Sequence, residues 1–132
     1  MTVSPFPSVG TSSSGMRVYQ TWIDAISDNI ANLNTVRPTN EPAYQERFVV
    51  ASSAPGTSGA QVDGIAFGPA DGQLVYQPDH PYADANGMVR VPGMDLSTQM
   101  TNLIIAQRAY QANVTVFERA RDAYQRALEI GH

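Results

Sequence analysis

Histidine is scarce in this 132-residue chain, and it limits the acid–base and metal chemistry available. The two histidines are His80 and His132. His132 is the last residue, and disorder is expected there. His80 lies in "PDHPYAD" with Asp79 and Asp84, a two-carboxylate, one-histidine set of the kind that can hold a divalent ion. Two prolines interrupt the segment, the ligands are adjacent or four apart in a loop, and no second histidine joins them, so a structured turn is expected instead. The neighbouring "DANG" is too short for a calcium loop, which needs regular oxygen ligands and a distal glutamate. Asp24 and Asp28 are spaced as a helical i, i+4 pair, which does acid–base work only when buried and coupled. On an amphipathic helix they read as a solvated face. Serines 12–14 have no histidine base nearby, and "NVT" (113–115) matches a glycosylation sequon but falls within a helical stretch. There is no phosphate loop, dinucleotide fingerprint or G-x-S-x-G elbow. There is also no cysteine, which excludes disulfides, thiolate metal sites and thiol nucleophiles. The expectation is a non-enzymatic protein with no cofactor, no metal and no small-molecule substrate.

Composition narrows the class further. The net charge is −4, which argues against a general nucleic-acid or anionic-membrane binder. Hydrophobic residues make up 42%, an ordinary value for a folded domain. No run approaches the ~18 apolar residues of a membrane span. The start, "MTVSPFPSVGTSSSG", lacks a basic and then an apolar region, so no cleaved secretory signal is expected.

The remaining residues imply α+β elements. Residues 1–10 read as an irregular leader. A first helix is expected over about Ser12 to Asn34, with serines 12–14 as N-cap candidates and Pro38 as its far limit. Met16, Tyr19, Ile23, Ile26, Ile30 and Leu33 recur at alternating three- and four-residue steps, an a/d seam. Seven of the nine prolines and seven of the ten glycines then fall within residues 36–94, which no long helix survives. Short β runs are expected at 46–52, 59–67, 73–77 and 88–91, with a flexible tip at 52–60 and a tight Asn86-Gly87 turn. A last helix of ~36 residues, ~54 Å long, follows with Asp95 as its N-cap and Gly131 as its stop.

That helix carries two seams. One is Met100, Leu103, Gln107, Tyr110, Val114, Phe117, Arg121, Tyr124 and Leu128. The other is richer in small residues: Ala106, Ala109, Asn113, Val116, Ala120, Ala123 and Ala127. A first helix of ~35 Å cannot cover ~54 Å. Apolar side chains left in water each forgo roughly 1.5–3 kcal/mol of burial, and exposed strips of that kind mark partner sites. Other chains are expected to supply the missing surface, with Gln107, Asn113 and Arg121 fixing register.

At this point the residues resemble a family. "DNIANLNT" (28–35) resembles the signature of flagellar axial proteins, the rod, hook and hook-associated subunits. Asn29, Ala31, Asn32, Asn34 and Thr35 carry it, and Asn32 and Asn34 are expected to bond the backbone where the first helix ends. "LVYQPDHPYADANGMVRVPGMD" (74–95) and "QMTNLIIAQRAYQANVTVF" (99–117) look like the proximal rod subunits within that family. Their matching positions are Tyr76, Pro78, Pro81, Ala83 and Asp84, then Arg108, Tyr110, Gln111, Ala112, Asn113 and Val114. Departures are Met88, Gly93-Met94, and Gln99 where an acidic residue is common.

The resemblance implies long N- and C-terminal helices pairing as an antiparallel coiled-coil-like unit, with a small irregular β-rich segment between them. The expected organisation is a leader (1–10), an axial helical core (11–36 with 95–132) and a β-rich insertion (37–94). The implied function is a structural subunit of the flagellar basal-body proximal rod, assembling by helical packing into a shaft that transmits torque. Its expected assembly residues are Met16, Tyr19, Ile23, Ile26, Ile30, Leu33, Leu103, Tyr110, Val114, Phe117, Tyr124 and Leu128. Implied partners are further copies of itself, other rod and basal-body proteins, and the flagellar type III export apparatus. The implied location is the basal body, as an exported rod in the periplasm or cell envelope. The alternatives are a different axial rod subunit, or a small ligand- or metal-binding α+β domain centred on His80.

Overall fold

Helix α1 runs Pro7–Ala31 in the computed structural model, which describes residues 7–56 and 59–131. The expected irregular leader is thereby corrected: residues 7–10 are helical. Proline is at home in a first helical turn, where its missing N–H has no partner to lose. The rest of that leader, the two residues at the loop tip (57–58) and His132 lie outside the described residues. Serines 12–14 are therefore interior rather than caps. Ser12 is buried, and the Ser14 hydroxyl donates to the Thr11 carbonyl (2.8 Å) and accepts from the Ala60 N–H (3.1 Å).

The helix ends sooner than expected, before Asn34. The Asn32 side chain folds back and donates to the Asp28 carbonyl (2.9 Å), while its own oxygen accepts from the Thr35 hydroxyl (3.2 Å). Asn32 thus does the expected capping through its carboxamide, and no left-handed backbone is needed: among the described residues every positive φ belongs to glycine.

Four strands follow: β1 (Arg47–Ser53), β2 (Ala60–Phe67), β3 (Gln73–Tyr76) and β4 (Met88–Val91). β1 pairs with β2 and β3 with β4, giving two separate two-stranded sheets. β3 and β4 are antiparallel, with Gln73 opposite Val91 and Tyr76 opposite Met88. On its other side β4 is held by a bridge in which Arg37 and Arg90 exchange backbone bonds of 2.8 Å. The Arg90 guanidinium continues to the carbonyls of Thr39 (2.9 Å) and Asp71. Helix α2 (Leu96–Ile130) then closes the chain, with Asp95 as its N-cap, accepting the Thr98 N–H at 3.0 Å. Bonds from the Thr98 side chain and then its backbone hold the Asp95 carboxyl below its usual range. The class is α+β, as expected.

The chain divides into two units. One gathers Asp24–Phe48 and Ile65–Leu103, and its buried apolar residues are Ala25, Ile26, Ala43 and Val89. In it the end of α1 meets the start of α2, where Asn29 Nδ2 donates to Gln99 Oε1 at 3.1 Å. The other gathers the chain up to Ile23, Val49–Gly64 and the residues from Ile104 onward. There Gly15 of α1 meets Asn113 of α2 so closely that an added Cβ would lie 2.6 Å from Asn113 Oδ1. Within each unit, then, earlier residues of one helix meet later residues of the other.

The long connection from β3 to β4 is organised by one carboxylate. Asp84 Oδ1 accepts the N–H groups of Asn86 and Met88 (both 2.9 Å), and Oδ2 accepts the Thr39 hydroxyl (3.1 Å). The Met88 bond is the main reason that its carboxyl sits below the usual 3.8. A depressed folded value means that the ordering is complete above 3.8 and fades as pH falls through the lower folded value. Amide exchange at Asn86 and Met88 is accordingly expected to accelerate as pH is lowered through that window, after correction for intrinsic rates. Asp84→Asn is expected to remove this acid dependence. Gly72 supplies a second test. Its φ is +55° and an added Cβ would lie 2.2 Å from the Val91 carbonyl oxygen. Gly72→Ala is expected to lower stability by about 2 kcal/mol or more in denaturant titration.

Candidate assembly surface

Two carboxamides, Asn29 and Gln99, stand among the largest fully buried side chains, beside Ile26 and Val89. Asn29 is placed by the last turns of α1. Its Oδ1 accepts the Arg47 N–H (2.9 Å) and the Tyr44 hydroxyl (3.2 Å), and its Nδ2 donates to the Arg47 carbonyl (3.1 Å) as well as to Gln99. Gln99, in the first turn of α2, passes the network on through Nε2 to Glu46 Oε1 at 2.5 Å. Burial pushes the Tyr44 hydroxyl's pKa up, and the nearby Arg47 opposes this. Arg47 also pairs with Asp28 at 2.6 Å, a half-exposed contact of small energetic weight.

The faces of α2 follow from that anchor. Gln99 and Ala106 are buried, and Ala109, Asn113 and Ala120 are half-buried. The first part of the small-residue seam therefore turns inward, while Val116, Ala123 and Ala127 are exposed. Asn113, expected to set register between chains, is engaged in its own chain: it donates to the Ala109 carbonyl (2.9 Å) and packs against Gly15. Gln107 and Arg121 are exposed.

The expected assembly residues divide into three groups. Ile26 is buried at 1% exposure, so it packs inside its own unit and is corrected from interface to core. Met16, Tyr19, Ile23, Ile30, Leu33, Leu103, Tyr110, Val114 and Phe117 are half-buried. Tyr124 and Leu128 are exposed, and so is every residue from Arg121 to Ile130. Sequence reading missed a further stripe, Leu96 with Ile104, which flanks Met100 at four-residue steps. Its spacing was the available signal.

The β structure is equally uncovered. Phe48, Val50, Val62, Ile65 and Phe67 are exposed on the first hairpin. An apolar groove of about 460 Å³ lies between α1 and this hairpin, lined by Val18, Tyr19, Trp22, Val49, Ala51 and Ala60. Among the described residues, five hydrophobic side chains are buried while sixteen large ones are exposed, the reverse of a self-sufficient core.

The residues singled out for chemistry are engaged in structure. The His80 Nδ1 accepts the Tyr82 N–H (3.0 Å), and both oxygens of Asp84 hold the surrounding loop. Among the described residues no group of three His, Cys, Asp or Glu side chains is arranged to hold a metal ion. Of the motif residues, Asn29, Asn32, Thr35, Asp84 and Asn113 make the bonds described above. Ala31, Asn34, Tyr76, Pro78, Pro81, Arg108 and Gln111 are exposed.

Comparison with known proteins agrees with this arrangement. Residues 10–39 match the flagella basal body rod protein family, and residues 85–130 match the C-terminal family of the flagellar basal body rod FlgEFG proteins. The chain is 36% identical to the flagellar basal-body rod protein FlgC of Yersinia enterocolitica, over 83% of this chain and 84% of that one. It is 34% identical to FlgC of Salmonella typhimurium over the same shares. It is 30% identical to FlgC of Bacillus subtilis over 98% of this chain and 99% of that one. The chain belongs to the FlgC family of flagellar basal-body rod proteins, and it is a structural subunit of the rod, not an enzyme.

Proposed function

We propose that the subunit joins the proximal part of the rod by packing its helices against those of neighbouring copies and sibling rod proteins, so that torque passes through helix contacts. The observation that carries this reading is the stretch Arg121–Ile130, a helix exposed along its whole circumference. Its Tyr124 and Leu128 continue the seam that is half-buried at Tyr110 and Phe117. Leu128 is half exposed and Ile130 is 85% exposed. Each gains roughly 1–2 kcal/mol when a partner removes it from water. A helix without tertiary cover is marginal in water, so this end is held firmly only once packed.

The outer residues of the first hairpin suit contacts with adjacent rod subunits, because isolated two-stranded hairpins are themselves marginal. Passage through the flagellar type III export apparatus is part of this reading. The working location is then the rod within the cell envelope.

The test is a pair of surface substitutions, Tyr124→Asp and Leu128→Asp. Leu128→Asp is expected to leave the monomer's denaturation midpoint within about 0.5 kcal/mol of the parent, because its side chain is half exposed. Each is expected to abolish incorporation into basal bodies and swimming in a complemented deletion strain. Normal incorporation of both variants would remove the central support for the reading.

A further inference from the structure

The Asn29–Gln99 pair occupies the most protected volume of its unit with two uncharged polar groups. Buried polar pairs are poor sources of stability: replacing both partners with apolar groups of similar shape is commonly neutral or favourable. Their presence here therefore calls for another role, and the bonds show which. The Asn29 carboxamide accepts the Arg47 N–H at 2.9 Å and donates to the Arg47 carbonyl at 3.1 Å. That is what a neighbouring strand would do for Arg47, the first residue of β1. The same side chain donates to Gln99, which in turn donates to Glu46, the residue just before β1. Tyr44 supplies a fourth bond, through its hydroxyl. One side chain of α1 thus grips α2, the entry to β1 and the loop leading to it.

Apolar packing alone would specify this junction weakly. The other buried side chains of this unit include Ala25 and Ala43, small residues that fit at more than one height along a helix. A slip of one residue at a strand reverses which side chains face inward. Directional amide bonds forbid such slips, as a single buried asparagine does in a coiled coil.

We infer that Asn29 and Gln99 are positioning residues that select the register at which α1, α2 and the start of β1 meet, at no gain in stability. The inference rests on the proposed helix-packed assembly, since a shifted junction presents the seam of α2 to neighbours at the wrong height.

The test compares the full-length double variant Asn29→Leu/Gln99→Leu with the parent. Its denaturation midpoint is expected to lie within about 1 kcal/mol of the parent's, because Arg47, Tyr44 and Glu46, the partners left behind, reach solvent, with unchanged helix content by circular dichroism. The Arg47 amide is expected to lose its exchange protection, and incorporation into basal bodies to fall about tenfold or more, the scale of one lost matched contact. The exchanged pair Asn29→Gln/Gln99→Asn keeps two amides and is expected to recover part of that loss. If the double-leucine variant is unfolded or markedly less stable, the pair is a stability element and the inference fails. If it is stable and incorporates normally, register selection is equally refuted. The Tyr124 and Leu128 variants decide the assembly reading separately. Should they fail to incorporate while the double-leucine variant succeeds, only the register inference is lost.

Discussion

Helix α2 has 35 residues and α1 has 25, and that mismatch governs the chain. In the unit that holds the end of α2, Gly15 of α1 lies against Asn113. Counting back along α1 to Pro7 reaches about the level of Arg121. Beyond that point α2 has no described stretch of α1 beside it, and its residues are exposed one after another. An amphipathic helix is stabilised mainly by the surface it buries. This one carries its seam past the described part of α1, and that stretch of the seam is uncovered in the single chain.

The interior is correspondingly small and polar. Ala25, Ala43 and Ala106 bring backbones close but bury little area, and Ile26 and Val89 are the larger apolar residues fully enclosed. Asn29 and Gln99 fill the remaining space with directional hydrogen bonds. Such an interior defines geometry better than it resists unfolding. That suits a structural subunit of the rod.

The β segments show the same division of labour on a smaller scale. β3 and β4 are tied down by the Arg37–Arg90 bridge, the close approach at Gly72 and the three bonds to Asp84, so their loop is rigid without a core of its own. The β1–β2 hairpin has fewer such ties and leaves Phe48, Val50 and Phe67 in water. Polar bonds hold the β3–β4 pair in shape, while the β1–β2 hairpin leaves apolar surface uncovered. The His80 Nδ1 and the Asp84 carboxylate, which first suggested chemistry, are engaged in building the connection between β3 and β4.

Periodicity and breakers determined much of this from the sequence alone. The four strands fall where the β-branched runs lie between prolines and glycines, and α2 begins at Asp95 and ends at Gly131 because capping chemistry is local. The excess length of α2 and the membership signalled by "DNIANLNT" were also legible, since both are properties of linear pattern. The start of α1 was not, because a proline that breaks a helix interior opens a first turn equally well. Nor was the division of the seams. Tyr19, Ile26 and Leu33 occupy equivalent heptad positions, yet Ile26 is core and the other two are half-covered. Only the tertiary structure decided that Asn29, Gln99 and Asn113 would turn inward, because burial depends on which surfaces meet. Residues 29 and 99 are brought together by contacts seventy positions apart, which no local pattern records.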